Sequence, residues 1–349
     1  MPFFDLDPAQ LAEVLGSEPN YRAKQVWQGV YGMLERPADL TTLPKNLRSR
    51  IADDPRLELS LSRVDRITSD AGKTIKDLWQ LADGRQVESV LMAYSDRVTL
   101  CVSSQAGCAM GCVFCATGQA GFFRHLTRAE ILEQVFHAAA LSKHALGKRL
   151  SNLVFMGMGE PMANYDNVVA AIRVIVQDFG ISARHITLST VGIIPGILRL
   201  AQEGLPLSLA VSIHAANNEK RTALVPMNAR YPLEDLMEAL QHYRTRSNRR
   251  ISFEWAMMAG INDGVQDAIE LAGLARRLRA HVNLIPLNPT PAWDYPGSAP
   301  EVVREFRDHL GALGVNATIR ANRGNQIAAA CGQLQAQVSR RAKAVAKEH

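Results

Sequence analysis

The stretch TLCVSSQAGCAMGCVFCATGQAGF spans residues 99–122 and holds four of the five cysteines in the chain. Three of these cysteines form a C-x3-C-x2-C pattern: Cys108, Cys112 and Cys115. Gly107 and Gly111 lie beside them and give the backbone the freedom to turn sharply. A loop with this spacing can direct three thiolates at one compact centre.

Three interpretations of the cysteine pattern differ in the centre that the thiols hold. Structural zinc normally takes four protein ligands, so His125 would have to complete the set. A 4Fe–4S cluster can use three thiolates and leave one iron open to a small molecule. The spacing favours the cluster over zinc and over three buried thiols without a ligand.

A repeated pattern follows residue 97, in which a short apolar run precedes a helical stretch. The six apolar runs are RVTLCVS, SNLVFMG, HITLST, LSLAVSI, ISFEWAMM and HVNLIPL. A seventh run, VNATIRA, precedes Cys331. Regular strand–helix alternation predicts an α/β fold with a parallel sheet, here a partial (β/α)6 barrel.

The pattern divides the chain into four predicted parts. Residues 1–54 are predicted as a small helical domain with one buried face, on which Val26, Val30 and Met33 lie at helical spacing. Alternating stretches in residues 55–97 predict a short antiparallel β extension. The barrel is expected over residues 98–321, followed by a C-terminal segment, residues 322–349, that carries Cys331.

The composition is that of a globular protein of ordinary polarity. Apolar residues make up 47% of the 349 residues and charged residues 21%, with no apolar run long enough to cross a membrane. The first residues lack the pattern of a signal peptide, so we expect a cytoplasmic protein without a membrane partner. The formal net charge of +5 favours an acidic partner such as RNA but does not establish one.

Small and polar residues follow the predicted barrel strands. FMGMGEP places Gly157, Gly159 and Glu160 after the second strand, where backbone and carboxylate can approach a ligand. Other polar residues end later strands: Ser189, Ser212, His214 and Asn288. Each one alone is ordinary for a turn, but strand ends of such a barrel meet at one rim. We therefore expect a ligand site there.

The C-x3-C-x2-C loop after the first strand of a partial barrel resembles the radical S-adenosylmethionine (SAM) superfamily. In that superfamily the open iron of a 4Fe–4S cluster binds SAM, and an electron from the cluster cleaves SAM to a 5′-deoxyadenosyl radical. The resemblance implies one cluster with three cysteine ligands and an electron donor such as a flavodoxin-type reductant. It also implies SAM contacts from these residues: Gly159, Glu160, Ser189, Ser212, Ile213, His214 and Asn288.

A narrower resemblance covers nearly the whole chain. It is carried by YRAKQVWQGVY, QVESV, TLCVSSQAGCAMGCVFCATGQAGF, MGMGEP, LSTVGIIP, SIHAANNEKR, LIPLNP and RGNQIAAACGQL. Together these segments are similar to the dual-specificity adenine-C2 RNA methyltransferases, the RlmN family. Those bacterial enzymes methylate an adenosine of 23S rRNA in the peptidyl-transferase centre and an anticodon-loop adenosine of tRNA, so the resemblance implies both RNAs as partners.

The family resemblance implies a role for each cysteine outside the cluster motif. Cys331 is expected to be methylated by one SAM, and a second SAM supplies the radical that takes hydrogen from the S-methyl group. The resulting carbon radical adds to adenine. Cys101 then resolves the protein–RNA adduct through a disulfide with Cys331. Glu88 matches the family's proposed acceptor of the carbon-2 proton, and Cys101 is the alternative acceptor. Without the resemblance, both thiols would be interpreted as small buried residues and Glu88 as a solvated strand residue.

Basic residues near both ends of the chain are expected to contact RNA phosphates. The candidates in the N-terminal helices are Arg22, Lys24, Lys45, Arg48 and Arg50. The tail RRAKAVAK, residues 340–347, is a further candidate, although each of these residues could equally belong to a solvated helix face. Two alternatives stay open: a methyltransferase acting on carbon 8 of the same rRNA adenine, which confers antibiotic resistance, and a zinc-dependent RNA-binding module without catalysis.

Overall fold

A computed structural model describes residues 2–293, 295–320 and 323–334, and its strands alternate with helices along most of the chain. The strands are β1 (Ser62–Ser69), β2 (Thr74–Gln80), β3 (Gln86–Ala93), β4 (Val98–Cys101), β5 (Gln105–Gly107), β6 (Phe122–His125), β7 (Asn152–Phe155), β8 (Ile186–Thr190), β9 (Ser208–Ser212), β10 (Ile251–Met257), β11 (His281–Pro286) and β12 (Ala317–Ile319). The helices are α1 (Pro8–Leu15), α2 (Asn20–Gln28), α3 (Lys45–Asp53), α4 (Ala116–Gln119), α5 (Arg128–Leu146), α6 (Tyr165–Gln177), α7 (Ile194–Leu200), α8 (Asn218–Leu224), α9 (Leu233–Arg246), α10 (Val265–Leu278) and α11 (Pro300–Ala312).

Ten strands form one sheet in the order β1-β2-β3-β4-β7-β8-β9-β10-β11-β12. From β4 to β12 every neighbouring pair is parallel, and helices connect successive strands. The six predicted strand–helix units and the final strand are therefore confirmed as a partial barrel. In such a barrel the carboxyl ends of the strands meet at one rim, where ligands bind.

The antiparallel strands are continuous with the barrel sheet. β1, β2 and β3 pair antiparallel, and β3 pairs antiparallel with β4, so that Val90 lies opposite Cys101. The predicted domain boundary between residues 97 and 98 therefore separates two strands of one sheet. This pairing brings Glu88 of β3 close to the start of the cysteine loop, because Glu88 is two residues from Val90.

A two-stranded hairpin that the sequence analysis did not predict encloses the cysteine loop. β5 and β6 pair antiparallel, and the Cys108 N–H donates to the Gly121 carbonyl at 2.9 Å. Gly107 has a φ of +76°, and a Cβ atom there would lie 2.0 Å from the Gly121 carbonyl oxygen. Only glycine fits this position, and the hairpin thereby fixes both ends of the loop.

The N-terminal helices pack against the outside of the barrel. The Trp27 indole N–H donates to Asp178 after α6 at 2.8 Å, which joins the two parts. Val26 and Val30 are buried as predicted, but Met33 is 45% exposed. The expectation for Met33 was wrong because a π-helical turn over Gly29–Met33 changes the helical period.

The main hydrophobic core is continuous from the N-terminal helices through the barrel, and a smaller cluster lies under the cysteine loop. Met110, Phe114, Ala215 and Met258 are buried in that smaller cluster. It supports the loop from the barrel side. No helix in the described part of the chain has the length and apolar character to span a membrane. The predicted basic tail, residues 340–347, lies outside the described residues.

Candidate active site

A cavity at the carboxyl rim of the barrel brings together residues from the cysteine loop, the strand ends and the C-terminal segment. The candidates that line it are Cys108, Cys112, Cys115, Gly159, Glu160, Ser189, Ser212, His214, Asn288 and Cys331. Ile213 is the candidate for SAM contact that does not line it. Its side chain is fully buried, and its carbonyl accepts a hydrogen bond from Arg221 Nε at 3.2 Å.

The three loop thiols face a common space and interact electrostatically. Burial raises the pKa of Cys108 to about 12, with further contributions from Glu160 and Cys115. Burial also raises the pKa of Cys112 well above its usual value, and Cys115 and Cys108 add to the effect. Thiolates at these positions would repel one another unless they shared a positively charged centre. The thiols therefore need a metal centre to ionise there.

His125 does not belong to this group of thiols. Its Nδ1 lies 2.9 Å from Gln105 Nε2, and its ring packs against Phe122. Within residues 2–293, 295–320 and 323–334, no three His, Cys, Asp or Glu side chains are arranged to hold a single metal ion. His125 therefore does not complete a set of four ligands with the three thiols, as the zinc interpretation requires.

Glu160 presents a buried carboxylate to the same cavity. Oε1 accepts the Met162 N–H and Oε2 accepts the Val191 N–H, each at 2.9 Å. Burial raises the pKa of Glu160 to about 7, while these hydrogen bonds and one from Thr190 lower it. No positively charged side chain contributes to the pKa shift of Glu160. The oriented carboxylate therefore suits a ligand with an amino group that donates hydrogen bonds.

The glycine before Glu160 allows two loops to approach closely. Gly159 has a φ of +103°, and a Cβ there would lie 2.5 Å from the Cβ of Gln105. Gln105 in turn accepts the Glu160 N–H with its Oε1 at 2.8 Å. The glycine-rich turn is thus locked against the strand that leads into the cysteine loop.

His214 is held as a neutral imidazole. Its Nδ1 accepts the Ala256 N–H at 3.0 Å, which leaves the proton on Nε2. Burial and, secondarily, Arg221 lower the pKa of His214 to about 3. The ring contacts Phe114 edge-on, at 4.7 Å between centroids. His214 can therefore donate one hydrogen bond to a ligand but carries no charge.

Arg221 organises the ends of two barrel strands. Its guanidinium is buried and donates to the carbonyl oxygens of Val191, Ser212 and Ile213 at 2.6, 3.3 and 3.2 Å. Burial lowers its pKa to about 10, so it stays protonated at neutral pH. The sequence analysis did not single out this residue, because a lone arginine in a helix has no motif spacing.

Cys331 reaches the cavity because the C-terminal segment folds back over the cysteine loop. The Ala116 N–H donates to the Gly332 carbonyl at 2.8 Å, and Thr117 Oγ1 donates to the Leu334 carbonyl at 2.5 Å. Asn288 Nδ2 lies 3.4 Å from the carbonyl oxygen of Cys331. These contacts place the fifth cysteine in the same cavity as the three loop thiols.

Cys101 lies on β4, outside the residues that line the cavity. Burial raises its pKa to about 12, and the charge of Cys331 acts in the same direction. Arg320 acts in the opposite direction on Cys101. Cys101 and Cys331 are therefore close enough to influence each other electrostatically, as a pair that forms a disulfide must be.

Arg320 is a second basic residue that the sequence analysis missed. It lines the cavity, and its NH1 lies 3.2 Å from Oε2 of the buried Glu254. Burial alone lowers its pKa, but the charges of Cys331, Glu254 and Cys101 raise it overall. A permanently charged guanidinium thus faces both remote thiols.

Glu88 is buried, so its interpretation as a solvated strand residue is wrong. The residue is 3% exposed, and its Oε1 lies 2.9 Å from Lys76 Nζ. Its backbone carbonyl accepts the Ser103 hydroxyl at 2.6 Å. Glu88 does not line the rim cavity, and its pairing with Leu78 of β2 places it in the antiparallel extension of the sheet.

Comparison with known proteins assigns the chain to a family. The profile of the Radical SAM superfamily matches residues 102–272. A probable dual-specificity RNA methyltransferase RlmN from Salinispora tropica is 49% identical over 95% of this chain and 92% of the relative. Its counterpart from Thermobifida fusca is 48% identical, with 95% and 94% covered. The chain belongs to the RlmN family of dual-specificity RNA methyltransferases.

The same family is supported by a solved structure. The crystal structure of a radical SAM methyltransferase from Sphaerobacter thermophilus superposes with a TM-score of 0.92 at 45% identity. The match covers 97% of this chain and all of that one. The protein is thus a SAM-dependent methyltransferase of the radical SAM type, and its cofactors are a 4Fe–4S cluster and SAM.

The cavity of this RlmN family member fits both cofactors. Three thiols that line one cavity match a cluster with three cysteine ligands, and burial raises the pKa of two of them, Cys108 and Cys112, so that a metal is needed for these two to ionise. The Glu160 carboxylate is buried, and no positively charged side chain is among the groups that shift its pKa. It can therefore accept hydrogen bonds from the amino group of SAM.

The candidate RNA contacts lie on α2 and α3, away from the cavity lining. Lys24, Lys45 and Arg50 are exposed, whereas Arg22 and Arg48 are partly buried. Arg50 forms an ion pair with Glu18 at 2.7 Å. Their role in RNA binding stays a prediction, and surface ion pairs of this kind are weak enough for a phosphate to compete.

Proposed function

We propose that this protein methylates carbon 2 of adenine in 23S rRNA and in the tRNA anticodon loop, through an S-methyl group on Cys331 and a transient protein–RNA adduct. The observation that carries the proposal is the position of Cys331. It comes from the far end of the chain and yet lines one cavity with Cys108, Cys112 and Cys115.

The cofactors would be held by residues that already share the cavity. Cys108, Cys112 and Cys115 would ligate the cluster, and Gly159 and Glu160 would receive the amino group of SAM. Further SAM contacts would come from Ser189, Ser212, His214 and Asn288. When bound, the cluster and two SAM molecules per cycle supply one methyl group and one 5′-deoxyadenosyl radical.

Cys331 would carry the methyl carbon from the cofactor to the base. Its sulfur accepts the methyl group and remains bonded to that carbon when the carbon joins adenine. Carbon 2 of adenine lies between two ring nitrogens and is electron-poor, so it does not attack an electrophilic methyl group directly. A thiolate does, and Cys331 places its sulfur in the cavity that also holds Glu160 and the three loop thiols.

Cys101 and Glu88 would release the product together. The radical adduct would first return one electron to the redox system that started the cycle. The Cys101 sulfur would then attack the Cys331 sulfur, and the bond between Cys331 and the transferred carbon would break. The electron pair of that bond would return to the carbon, and the proton released by the Cys101 thiol would complete the methyl group. The proton from carbon 2 passes to Glu88. The pKa of Cys101, raised to about 12 by burial, keeps this thiol protonated at rest, so it brings a proton to the reaction.

The target adenine would have to leave its stacked position in the RNA before it enters the cavity. A base buried among its neighbours cannot reach the rim of a barrel, so extrusion is required. Arg22, Lys24, Lys45, Arg48 and Arg50 would bind phosphates without specifying sequence. The proposal further includes action in the cytoplasm, without a membrane partner, and a flavodoxin-type electron donor.

The test is anaerobic reconstitution with iron and sulfide, followed by turnover on 23S rRNA and tRNA and mass mapping of the methylated nucleoside. We expect 2-methyladenosine in both RNAs. Methylation at carbon 8 would contradict the regiochemistry. A colourless protein that holds one zinc and cleaves no SAM would contradict the whole proposal.

A further inference from the structure

Lys76, on β2, combines a buried position with two polar partners. Only 8% of the residue is exposed, and a buried ammonium is costly unless it is paired and hydrogen-bonded. Its Nζ lies 2.9 Å from Glu88 Oε1 and donates a hydrogen bond to the Ala328 carbonyl at 3.2 Å. One cation therefore contacts both Glu88 and the segment that carries Cys331.

The contact with Glu88 follows from the strand register. Lys76 pairs with Val90 and Leu78 pairs with Glu88, so Lys76 and Glu88 are diagonal neighbours on one face of the sheet. Glu88 is itself 3% exposed. The ion pair thus lies inside the protein, where the contact with Lys76 fixes the orientation of the Glu88 carboxylate.

The contact with Ala328 lies three residues before Cys331. Ala328 has a φ of +49°, so the chain turns sharply where Lys76 holds it. A second attachment on this side is Arg323, whose NH1 donates to the Ala93 carbonyl at 2.9 Å. Both attachments join the C-terminal segment to the antiparallel part of the sheet.

The other side of Cys331 is attached to the cysteine loop, through Ala116 with Gly332 and Thr117 with Leu334. Cys331 therefore lies between two anchors. The anchor on the loop side sets its place beside the cluster ligands. The anchor on the sheet side sets its place relative to Cys101 and Glu88, which belong to β4 and β3.

We propose that Lys76 is a positioning residue for methyl transfer, which holds the Glu88 carboxylate and the Cys331 segment in a fixed relation. The catalytic roles of Glu88 and Cys331 rest on the proposed function, whereas the contacts of Lys76 are observed in the structure. Resolution of the adduct needs Glu88 beside the carbon-2 proton while Cys331 stays beside Cys101. A single ammonium that contacts both partners meets this need.

The first test is hydrogen–deuterium exchange on the cluster-loaded enzyme without RNA. In Lys76→Met we expect the amides of residues 327–333 to exchange about tenfold faster, because one sheet-side anchor is lost. The matched control is Lys73→Met, which removes an exposed lysine just before the same strand and is expected to exchange like the wild type. Unchanged exchange in Lys76→Met would overturn the proposal.

A double variant keeps this test valid if Lys76→Met fails to fold. Lys76→Met combined with Glu88→Gln removes both charges of the Lys76–Glu88 pair together, which costs less stability than removal of one of them. The exchange in residues 327–333 should still rise about tenfold. Glu88→Gln alone retains the contact of Lys76 with Ala328 and should stay within about twofold of the wild type. A double variant that exchanges like the wild type would also refute the anchor.

The second test follows the adduct in single-turnover reactions with RNA. Lys76→Met should accumulate the protein–RNA adduct and resolve it about tenfold more slowly. Lys76→Arg keeps a cation with several donors and should restore most of the rate. Equal rates for the Met and Arg variants would contradict a positioning role. If the wild type makes no methylated RNA, the proposed function fails, while the exchange experiment still decides whether Lys76 anchors the segment.

Discussion

The backbone N–H of Ala116 donates a hydrogen bond to the carbonyl oxygen of Gly332, with an N···O distance of 2.8 Å. Ala116 directly follows Cys115, and Gly332 directly follows Cys331. This bond therefore holds the fifth cysteine against the loop that carries the other three thiols of the cavity. A thiol that must receive a methyl group and then meet a radical has to occupy such a position.

The cluster cysteines and Cys331 should respond differently to substitution. Cys112→Ala is expected to lose the brown absorbance and nearly all bound iron after anaerobic reconstitution, because two thiolates cannot hold the cluster. Cys331→Ala is the matched control and should retain about four iron atoms per chain. Iron analysis and visible spectra provide the measurement. Loss of iron in both variants would assign Cys331 to the metal centre instead.

SAM affinity should depend on the charge of Glu160. Its pKa is raised to about 7, so the carboxylate is mostly protonated at pH 6 and mostly ionised at pH 8. Only the ionised form accepts hydrogen bonds with both oxygens, so binding should strengthen about tenfold between these values. Calorimetric titration of the cluster-loaded protein measures the change.

Glu160→Gln is the control for this pH dependence. It should bind SAM about ten- to a hundredfold more weakly, since a hydrogen bond to a charged group contributes about 1.5–3 kcal/mol. Its affinity should also change much less between pH 6 and pH 8. An unaltered pH profile in Glu160→Gln would show that another group controls the binding.

Arg320 should accelerate disulfide formation between Cys101 and Cys331. Arg320→Met removes the cation that lowers the pKa of Cys101, so the reactive thiolate becomes rarer. In a background with alanine at the three cluster positions, oxidised glutathione should form the disulfide about tenfold more slowly. Arg320→Lys keeps the charge and should remain close to the parent. Equal rates of disulfide formation in Arg320→Met and Arg320→Lys would exclude this electrostatic role of Arg320.

The sequence predicted most of the fold because barrel strands have a strong local signal. Runs such as HITLST and ISFEWAMM are apolar, short and followed by helical stretches, and these became β8 and β10. The hairpin of β5 and β6 was missed because its strands are short and have no apolar alternation. The π-helical turn at Gly29–Met33 was missed because the spacing of apolar residues fits an ordinary α-helix. Nothing in the sequence shows that this turn contains one more residue than an α-helical turn.

The sequence identified the candidate site residues that belong to short motifs. It did not identify the residues that reach the site only because distant segments of the chain fold together. Spacing identified the cysteine loop, and the glycine turn identified Glu160. Lys76 and Arg320 belong to no motif, and Arg221 ends the segment SIHAANNEKR without a spacing that indicates its role. A single basic residue usually lies on the surface. Their importance appears only when distant strands pair and when the C-terminal segment returns to the cavity.

The direct test of the reaction path is to change Cys101 to alanine and to purify the protein from growing cells. The two-thiol path predicts that RNA stays covalently attached to Cys331, since the thiol that resolves the adduct is gone. Mass spectrometry after nuclease digestion should find the nucleotide on that residue, and Cys101→Ala combined with Cys331→Ala should carry none. A Cys101→Ala enzyme that emerges free of RNA and still methylates adenine would contradict the path.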